Sequence, residues 1–397
     1  MQTYGRHFSP ATSTITLVLA ALALGACADG AVAPLDPSTP LAPSASLNGR
    51  HGADAAEGPG AVYTLTNAAS GNGVVAFHRA PDGSLSPLGT VATGGRGTGG
   101  TVDPLVSQFA TVLNERHDAL FAVNAGSDQI SSFRVGTDGA LTLASTVSSG
   151  GSRPVSLAVH DNLLYALNTN DNTLSGFRVT GGARLVALPG AVRSLAAGAD
   201  GAAAVRFTSD GTHLIVSERV SNRLEVFPVS TDGRLGTPVV SPSHGGAAFG
   251  FDITAHNQPI VSETQGALTS YALAASGALT PITASISTAG AAACWVTITS
   301  DGRFAYTTNS ASSTLAGFAI DAAGHLEPIT PGVGTGDSGA GAIPIDLDHV
   351  GSRFVYTLEA GQGNIGTFVI GEDGTLVARP DVAAGPAASG MQGLAAF

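Results

Sequence analysis

Three side chains near the middle of the sequence are suited to catalysis: Arg206, Glu218 and His244. Arg206 precedes Phe207 in an apolar run, and a buried arginine requires a partner. Arg206 either pairs with a carboxylate, such as Glu218, or binds a substrate carboxylate or polarises a carbonyl. Glu218 could then activate water. His244, in a glycine-rich loop, is either a plain loop residue or a proton carrier near neutral pH.

Four further residues are candidates for substrate binding. Arg153 lies in a predicted loop, Gln108 and Gln392 lie in predicted inner strands, and Glu263 ends a predicted second strand as Glu218 does. Other repeats mostly have Asn at that strand end, which is typical of turns. Glutamate is a poor turn residue, so these carboxylates either form a solvated rim or belong to a binding site.

The elements that must position these residues follow from a repeat in the sequence. Seven times an aromatic residue stands eight positions before a leucine, at intervals of 44 to 56 residues. The pairs are Phe77/Leu85, Phe133/Leu141, Phe177/Leu185, Phe227/Leu235, Tyr271/Leu279, Phe318/Leu326 and Phe368/Leu376. A repeat of this length with strand-like content predicts an all-β, seven-bladed β-propeller with four antiparallel strands in each blade.

The two ends of the repeat region predict how the ring closes. The first repeat begins with a predicted second strand at Val62–Asn67, and Met391–Phe397 forms a first strand without a repeat of its own. Pairing the two completes the first blade with the C-terminal strand and removes exposed sheet edges.

The N-terminal region predicts export. Arg6 precedes an apolar run, and Leu24-Gly25-Ala26-Cys27 resembles a bacterial lipoprotein box. We therefore expect a signal peptide over residues 1–27 that ends at Cys27, a flexible tether over 28–58 and the propeller over 59–397. Lipidation of Cys27 would anchor an exported protein to a membrane. The alternative is an ordinary signal peptide with a chance cysteine.

Composition excludes several classes of function. The sequence has no lysine, which excludes a Schiff-base lysine, and its net charge of −12 argues against a broad nucleic-acid surface. The Gly95–Gly100 run matches a dinucleotide-binding fingerprint by letter but lacks the required helix. We expect no cofactor and no metal, although convergence of Glu and Asn side chains on one ion is not visible in a sequence. We also expect a monomer.

The sequence resembles the lactonase-type seven-bladed propellers, which include the propeller form of 6-phosphogluconolactonase and the carboxymuconate cyclases. The motifs are Phe207–Gly211, His244–Phe251 and Ala293–Trp295 running into Asp301–Phe304. The resemblance implies a hydrolase of lactones or a cyclising lyase on muconates, with a small-molecule lactone or carboxylate as ligand. It also implies a His, Arg and Glu set, but the Pro-His of the family is replaced by Pro154-Val155. The alternative is a non-catalytic binding or scaffolding propeller.

Overall fold

The computed structural model describes residues 58–397 and confirms the predicted seven-bladed propeller. Each blade is a four-stranded antiparallel sheet whose first strand lies innermost. Given from the innermost strand outward, blade 1 consists of Gln392–Ala396, Gly60–Leu65, Gly73–Arg79 and Leu85–Ala92; blade 2 of Thr111–Leu113, Ala119–Asn124, Gln129–Val135 and Leu141–Ser148; blade 3 of Pro154–His160, Leu163–Asn168, Thr173–Thr180 and Arg184–Ser194; and blade 4 of Ala202–Phe207, His213–Glu218, Arg223–Pro228 and Val239–Pro242. Blade 5 consists of Ala248–Ile253, Pro259–Glu263, Ala267–Leu273 and Leu279–Ser287; blade 6 of Ala293–Ile298, Phe304–Asn309, Thr314–Ile320 and Leu326–Pro328; and blade 7 of Pro344–Val350, Phe354–Glu359, Asn364–Ile370 and Leu376–Ala383. A short strand, Gly336–Asp337, also pairs with the third strand of blade 6.

Blade 1 is closed by the C-terminal strand, as the sequence predicts. Gln392–Ala396 pairs antiparallel with Gly60–Leu65, and Tyr63 lies opposite Ala395. The pairing continues beyond the strand, because the Ala61 and Phe397 backbones exchange two hydrogen bonds of 3.1 and 3.0 Å. The two ends of the described chain are therefore held in one sheet.

The repeated aromatic residues fill the space between blades. All seven lie in third strands and are at most 2% exposed. Tyrosines in second strands make a second inter-blade contact by donating a hydrogen bond to a glycine carbonyl in the outer turn of the next blade. These bonds are Tyr63 to Gly139, Tyr165 to Gly233, Tyr306 to Gly374 and Tyr356 to Gly83, at 2.7 to 2.8 Å. The last of them joins blade 7 to blade 1.

Carboxylates on the inner strands join neighbouring blades near the central channel. Asp252 Oδ2 accepts from the Ile298 amide at 3.0 Å, Asp346 Oδ2 from the Leu394 amide at 3.1 Å, and Asp348 Oδ2 from the Ala396 amide at 2.9 Å. Inner strands of adjacent blades diverge too far for a regular ladder, so these side chains satisfy amides that would otherwise lack a partner. Burial raises the pKa of Asp346 well above its usual range.

The predicted signal peptide, Cys27 and the tether up to residue 57 lie outside the described residues. Within residues 58–397, no helix is long and apolar enough to cross a bilayer.

Candidate active site

A cavity of about 720 Å³ opens at the end of the central channel where the inner strands finish. Residues at or near the C-terminal ends of the inner strands line it, among them His160, Phe207, Ile253, His349 and Ala396. The lining also includes several groups that could do chemistry, namely Arg206, His117, Asp252, Asp348 and Thr297. A concave site with a few convergent polar groups is the usual setting for a small ligand.

A segment of blade 2 crosses the channel beneath this cavity. Before the short inner strand Thr111–Leu113, the Gln108 side chain donates to the Val296 carbonyl at 2.7 Å and accepts from the Val296 amide at 3.4 Å. Trp295 Nε1 donates to the Ser107 carbonyl at 2.8 Å, and Ser107 Oγ donates to the Val155 carbonyl. Residues 107–109 of this segment therefore contact the inner strands of several blades, and Gln108 and Phe109 line the floor of the cavity.

Gly250 makes room for this segment. A Cβ at Gly250 would come within 2.3 Å of Gln108 Oε1 and 2.5 Å of the Cys294 carbonyl oxygen. Gln108 is fully buried there. It belongs to the channel-crossing segment and not to an inner strand, because the inner strand of blade 2 begins only at Thr111. The sequence-based placement of Gln108 in an inner strand is therefore wrong, although Gln108 does line the cavity.

Arg206 is held in the cavity from two sides. Its Nε lies 2.9 Å from Asp252 Oδ1 in an ion pair, and its guanidinium carbon lies 4.7 Å from the centre of the Phe109 ring. The Arg206 side chain is 39% exposed, whereas the Asp252 side chain is 6% exposed. A buried carboxylate and an aromatic face thus fix the guanidinium while part of it remains accessible to a ligand.

Two histidines flank Asp348 on the blade 7 side of the cavity. The Asp348 charge acts on His117, His349 and Arg206 through space, so the four groups lie near one another. His349 Nδ1 lies 2.8 Å from Thr297 Oγ1, and its Nε2 lies 3.2 Å from Ser300 Oγ. The His117 ring packs 5.0 Å from that of Phe397. Burial lowers the pKa of His117, and burial also raises the pKa of Asp348.

This cluster combines the group types that acyl transfer requires. A fixed guanidinium can stabilise an oxyanion, and an imidazole that is neutral at neutral pH can accept a proton from water. A third histidine, His160, lies at the cavity wall with its Nδ1 3.0 Å from Glu115 Oε1. Residues 58–397 contain no group of three or more His, Cys, Asp or Glu side chains arranged to hold a metal ion.

The structure does not bring Arg206, Glu218 and His244 together. Glu218 lies opposite Ala202 in the sheet and Arg206 lies opposite Ile215, so the two are four residues apart along the inner strand. That separation is about 13 Å at the usual rise per residue. The predicted Arg206–Glu218 pair is therefore wrong, because Arg206 pairs with Asp252 on the cavity side.

The second-strand glutamates do not form a solvated rim either. Glu218, Glu263 and Glu359 are at most 2% exposed. Glu218 Oε2 accepts from Arg223 Nε at 2.9 Å, and Glu263 accepts from the Gly245 amide at 3.0 Å and from Ser285 Oγ at 2.7 Å. They tie the strands of a blade to the loops at the end of the propeller opposite the cavity.

The remaining predicted residues also lie away from the cavity. His244 is exposed in the loop before the blade 5 inner strand, where its amide donates to the Tyr271 hydroxyl at 2.9 Å. Arg153 Nη2 donates to the Pro104 carbonyl at 2.8 Å, and Gln392 Nε2 donates to the Met391 carbonyl at 3.0 Å. Of the seven predicted residues, only Arg206 and Gln108 line the cavity.

Sequence reasoning missed His117, Asp252, Asp348 and His349. A usable signal was present, because Asp252, Asp348 and His349 are charged or polar residues in inner strands of predominantly apolar sequence, as Arg206 is. His117 gave no such signal, since it lies in an ordinary first turn between two strands of blade 2.

Comparison with known proteins places the chain in a family. The model of the seven-bladed β-propeller lactonase family matches residues 72–193 and 183–296, together more than half of the sequence. The chain belongs to that lactonase family of β-propellers. No curated protein sequence matches significantly.

Solved structures of similar fold have low sequence identity to this chain. A putative 6-phosphogluconolactonase from Bacteroides fragilis is 14% identical and has a TM-score of 0.68, over 87% of this chain and 100% of that chain. The periplasmic gluconolactonase of Pseudomonas aeruginosa is 19% identical and has a TM-score of 0.66, over 84% of this chain and 98% of that chain. At such identities the likeness shows the fold alone.

Proposed function

We propose that this protein hydrolyses a small lactone in the cavity at the ends of the inner strands. The observation that carries the proposal is the fixed Arg206 guanidinium beside His117, Asp348 and His349 in one cavity. Membership of the lactonase family supports the same reaction class.

The cluster suits ring opening by water. The Arg206 guanidinium would hydrogen-bond the lactone carbonyl oxygen and stabilise the negative charge that forms on it. His117, neutral because burial lowers its pKa, would take a proton from the attacking water. The new C–O bond to water forms, the ring C–O bond breaks, and His349 would give a proton to the leaving alkoxide. Return of the His117 proton to His349 through solvent completes the cycle.

The test is turnover of a panel of γ- and δ-lactones by the full chain, measured as acid release at constant pH. We expect Arg206→Gln and His117→Gln each to lower kcat/KM by about 100-fold. Arg184→Gln and His325→Gln are matched controls, because both residues are exposed and do not line the cavity. Turnover that persists in both cavity variants would contradict this site.

Two other outcomes identify the rival functions. A lactone that binds in the calorimeter without being opened would indicate a binding propeller without catalysis. Formation of a lactone from an unsaturated dicarboxylate, lost in Arg206→Gln, would indicate a cyclising lyase that uses the same cavity.

The cellular location is part of the proposal. We infer from Leu24–Cys27 that the protein is exported and anchored to a membrane through a lipid on Cys27. Cells fed a labelled fatty acid should label the wild-type protein and not the Cys27→Ser variant. Equal labelling of both, or none of either, would contradict the anchor.

A further inference from the structure

Three glutamates occupy equivalent positions at the ends of second strands, and each meets the same neighbouring positions. Glu218, Glu263 and Glu359 lie opposite the first residue of the third strand, which is Arg223, Ala267 and Asn364 in turn. Two residues further along the third strand stand Glu225, Thr269 and Gly366. A comparison of the three blades shows which groups stabilise a buried carboxylate at the end of the second strand.

Blades 4 and 5 stabilise their glutamates in two different ways, although Glu218 Oε1 in blade 4 also has no hydrogen-bond partner among residues 58–397. In blade 4 the positive charge of Arg223 bridges two acids, with Nε 2.9 Å from Glu218 Oε2 and Nη2 3.0 Å from Glu225 Oε1. In blade 5 the hydroxyls of Thr269 and Ser285 donate to Glu263. A buried carboxylate requires such a cation or such donors.

Blade 7 has neither the arginine of blade 4 nor the two hydroxyls of blade 5, and within the described part of the chain Glu359 Oε1 accepts only from Thr357 Oγ1, at a long 3.4 Å. The position of Arg223 holds Asn364, whose amide donates to Gln362 at 3.3 Å, and the position of Thr269 holds Gly366. The position of Ser285, two residues before the partner of the first third-strand residue, holds Asp381. Asp381 lies within hydrogen-bonding reach of Glu359, so a donor has been replaced by a second carboxyl group.

The Glu359 carboxylate is closely packed among oxygen-bearing groups. Among residues 58–397, neither Oε2 of the fully buried Glu359 nor the hydroxyl of Ser338, which is 8% exposed, makes a hydrogen bond of good geometry, although the two groups lie side by side. A Cβ at Gly366 would come within 2.3 Å of Glu359 Oε1, so glycine leaves room for the carboxylate. Asp381 is exposed and gives solvent access to the pair.

We propose that a calcium ion binds between Glu359, Asp381 and Ser338 in blade 7. Calcium takes six to eight oxygen ligands in irregular geometry, and water on the Asp381 side can complete the shell. The three protein ligands come from the loop before blade 7, from its second strand and from its outer strand. The ion therefore joins three separate segments of the blade.

Calorimetric titration and thermal unfolding of the full chain after chelator treatment test this site. We expect CaCl₂ to bind and to raise the Tm, with a weaker response to MgCl₂, because magnesium requires stricter geometry. Both responses should be stronger at pH 9 than at pH 7, since the ion competes with a proton for Glu359. Glu359→Gln and Asp381→Asn should each weaken calcium binding at least tenfold, and Ser338→Ala should weaken it several-fold.

Glu372→Gln is the matched control, because it removes one exposed carboxylate from the same blade, outside the proposed site. It should bind calcium as the wild type does. The rival is a proton shared by the two acids. Two results together would overturn the proposal. The Tm of the wild type would not change with calcium at pH 7 or pH 9, and the Glu359→Gln variant would be more stable than the wild type at pH 9. Neither result depends on lactone turnover.

Discussion

Arg206 Nε lies 2.9 Å from Asp252 Oδ1, and this ion pair joins the inner strands of blades 4 and 5 beside the cavity. The same carboxylate accepts the Ile298 amide through its other oxygen, so it links three consecutive blades. Asp252 is buried and Arg206 is partly exposed. The pair thus anchors the cation on the propeller scaffold and presents it to the cavity.

Arg206 and Asp252 should therefore differ in how their loss affects the reaction. Arg206→Gln removes the oxyanion partner and should lower kcat by about 100-fold. Asp252→Asn keeps the guanidinium but weakens its anchoring, so we expect about a tenfold loss from this change alone and no further loss when it is added to Arg206→Gln. Steady-state kinetics of the four proteins check this, and independent, additive losses would contradict a positioning role for Asp252.

The pH dependence of kcat/KM should reflect the protonation of His117. Its lowered pKa means that it stays neutral below the ordinary value of 6.5, so kcat/KM should remain level there and fall only in more acidic solution. Because the folded pKa is the lower one, protonation also costs stability as pH falls below 6.5. His117→Gln should lose this acid limb, and His325→Gln should retain it. A limb unchanged in His117→Gln would assign the base to another residue.

The repeat was sufficient to predict the ring, because its length and strand-like content are properties of each blade separately. It could not predict the site, because Arg206 and Asp252 lie in different blades and their contact depends on how neighbouring inner strands are placed. The exposure of the second-strand glutamates was predicted wrongly for a related reason. Their positions at strand ends suggested exposure, but Glu218 turns inward to Arg223 and Glu263 to Ser285. The position of a residue at the end of a strand does not determine whether its side chain points toward a neighbouring strand or toward solvent.

Arg223 should be among the most important charged residues for stability. It is the shared partner of Glu218 and Glu225, whose side chains are fully buried, and burial raises the pKa of Glu225 to about 7. Arg223→Met leaves both acids without a cation, and we expect a loss of about 3–5 kcal/mol in the free energy of unfolding. The loss should shrink at pH 5, where Glu225 is protonated in the folded state. Urea unfolding at pH 5 and pH 8 checks this.

The control for that experiment is Arg184→Gln, which removes an exposed arginine from the outer strand of blade 3. It should change the free energy of unfolding by less than about 0.5 kcal/mol. An Arg223→Met loss that is equally small, or one that does not depend on pH, would show that the two acids are stabilised without the guanidinium.

The closing strand provides a test of the ring that isolates one backbone group. The Leu394 amide donates to Asp346 Oδ2 at 3.1 Å, and Leu394 lies opposite Thr64 in blade 1. Leu394→Pro removes this donor and leaves the buried Asp346 carboxylate short of a partner, whereas Leu394→Ala removes only apolar side-chain packing. We expect the alanine variant to lose about 2–5 kcal/mol and to unfold cooperatively. The proline variant should lose substantially more, with early hydrogen exchange in Gly60–Leu65, because blade 1 then lacks a secure inner strand. Equal stability of the two variants would mean that the Asp346 contact does not help to close the ring.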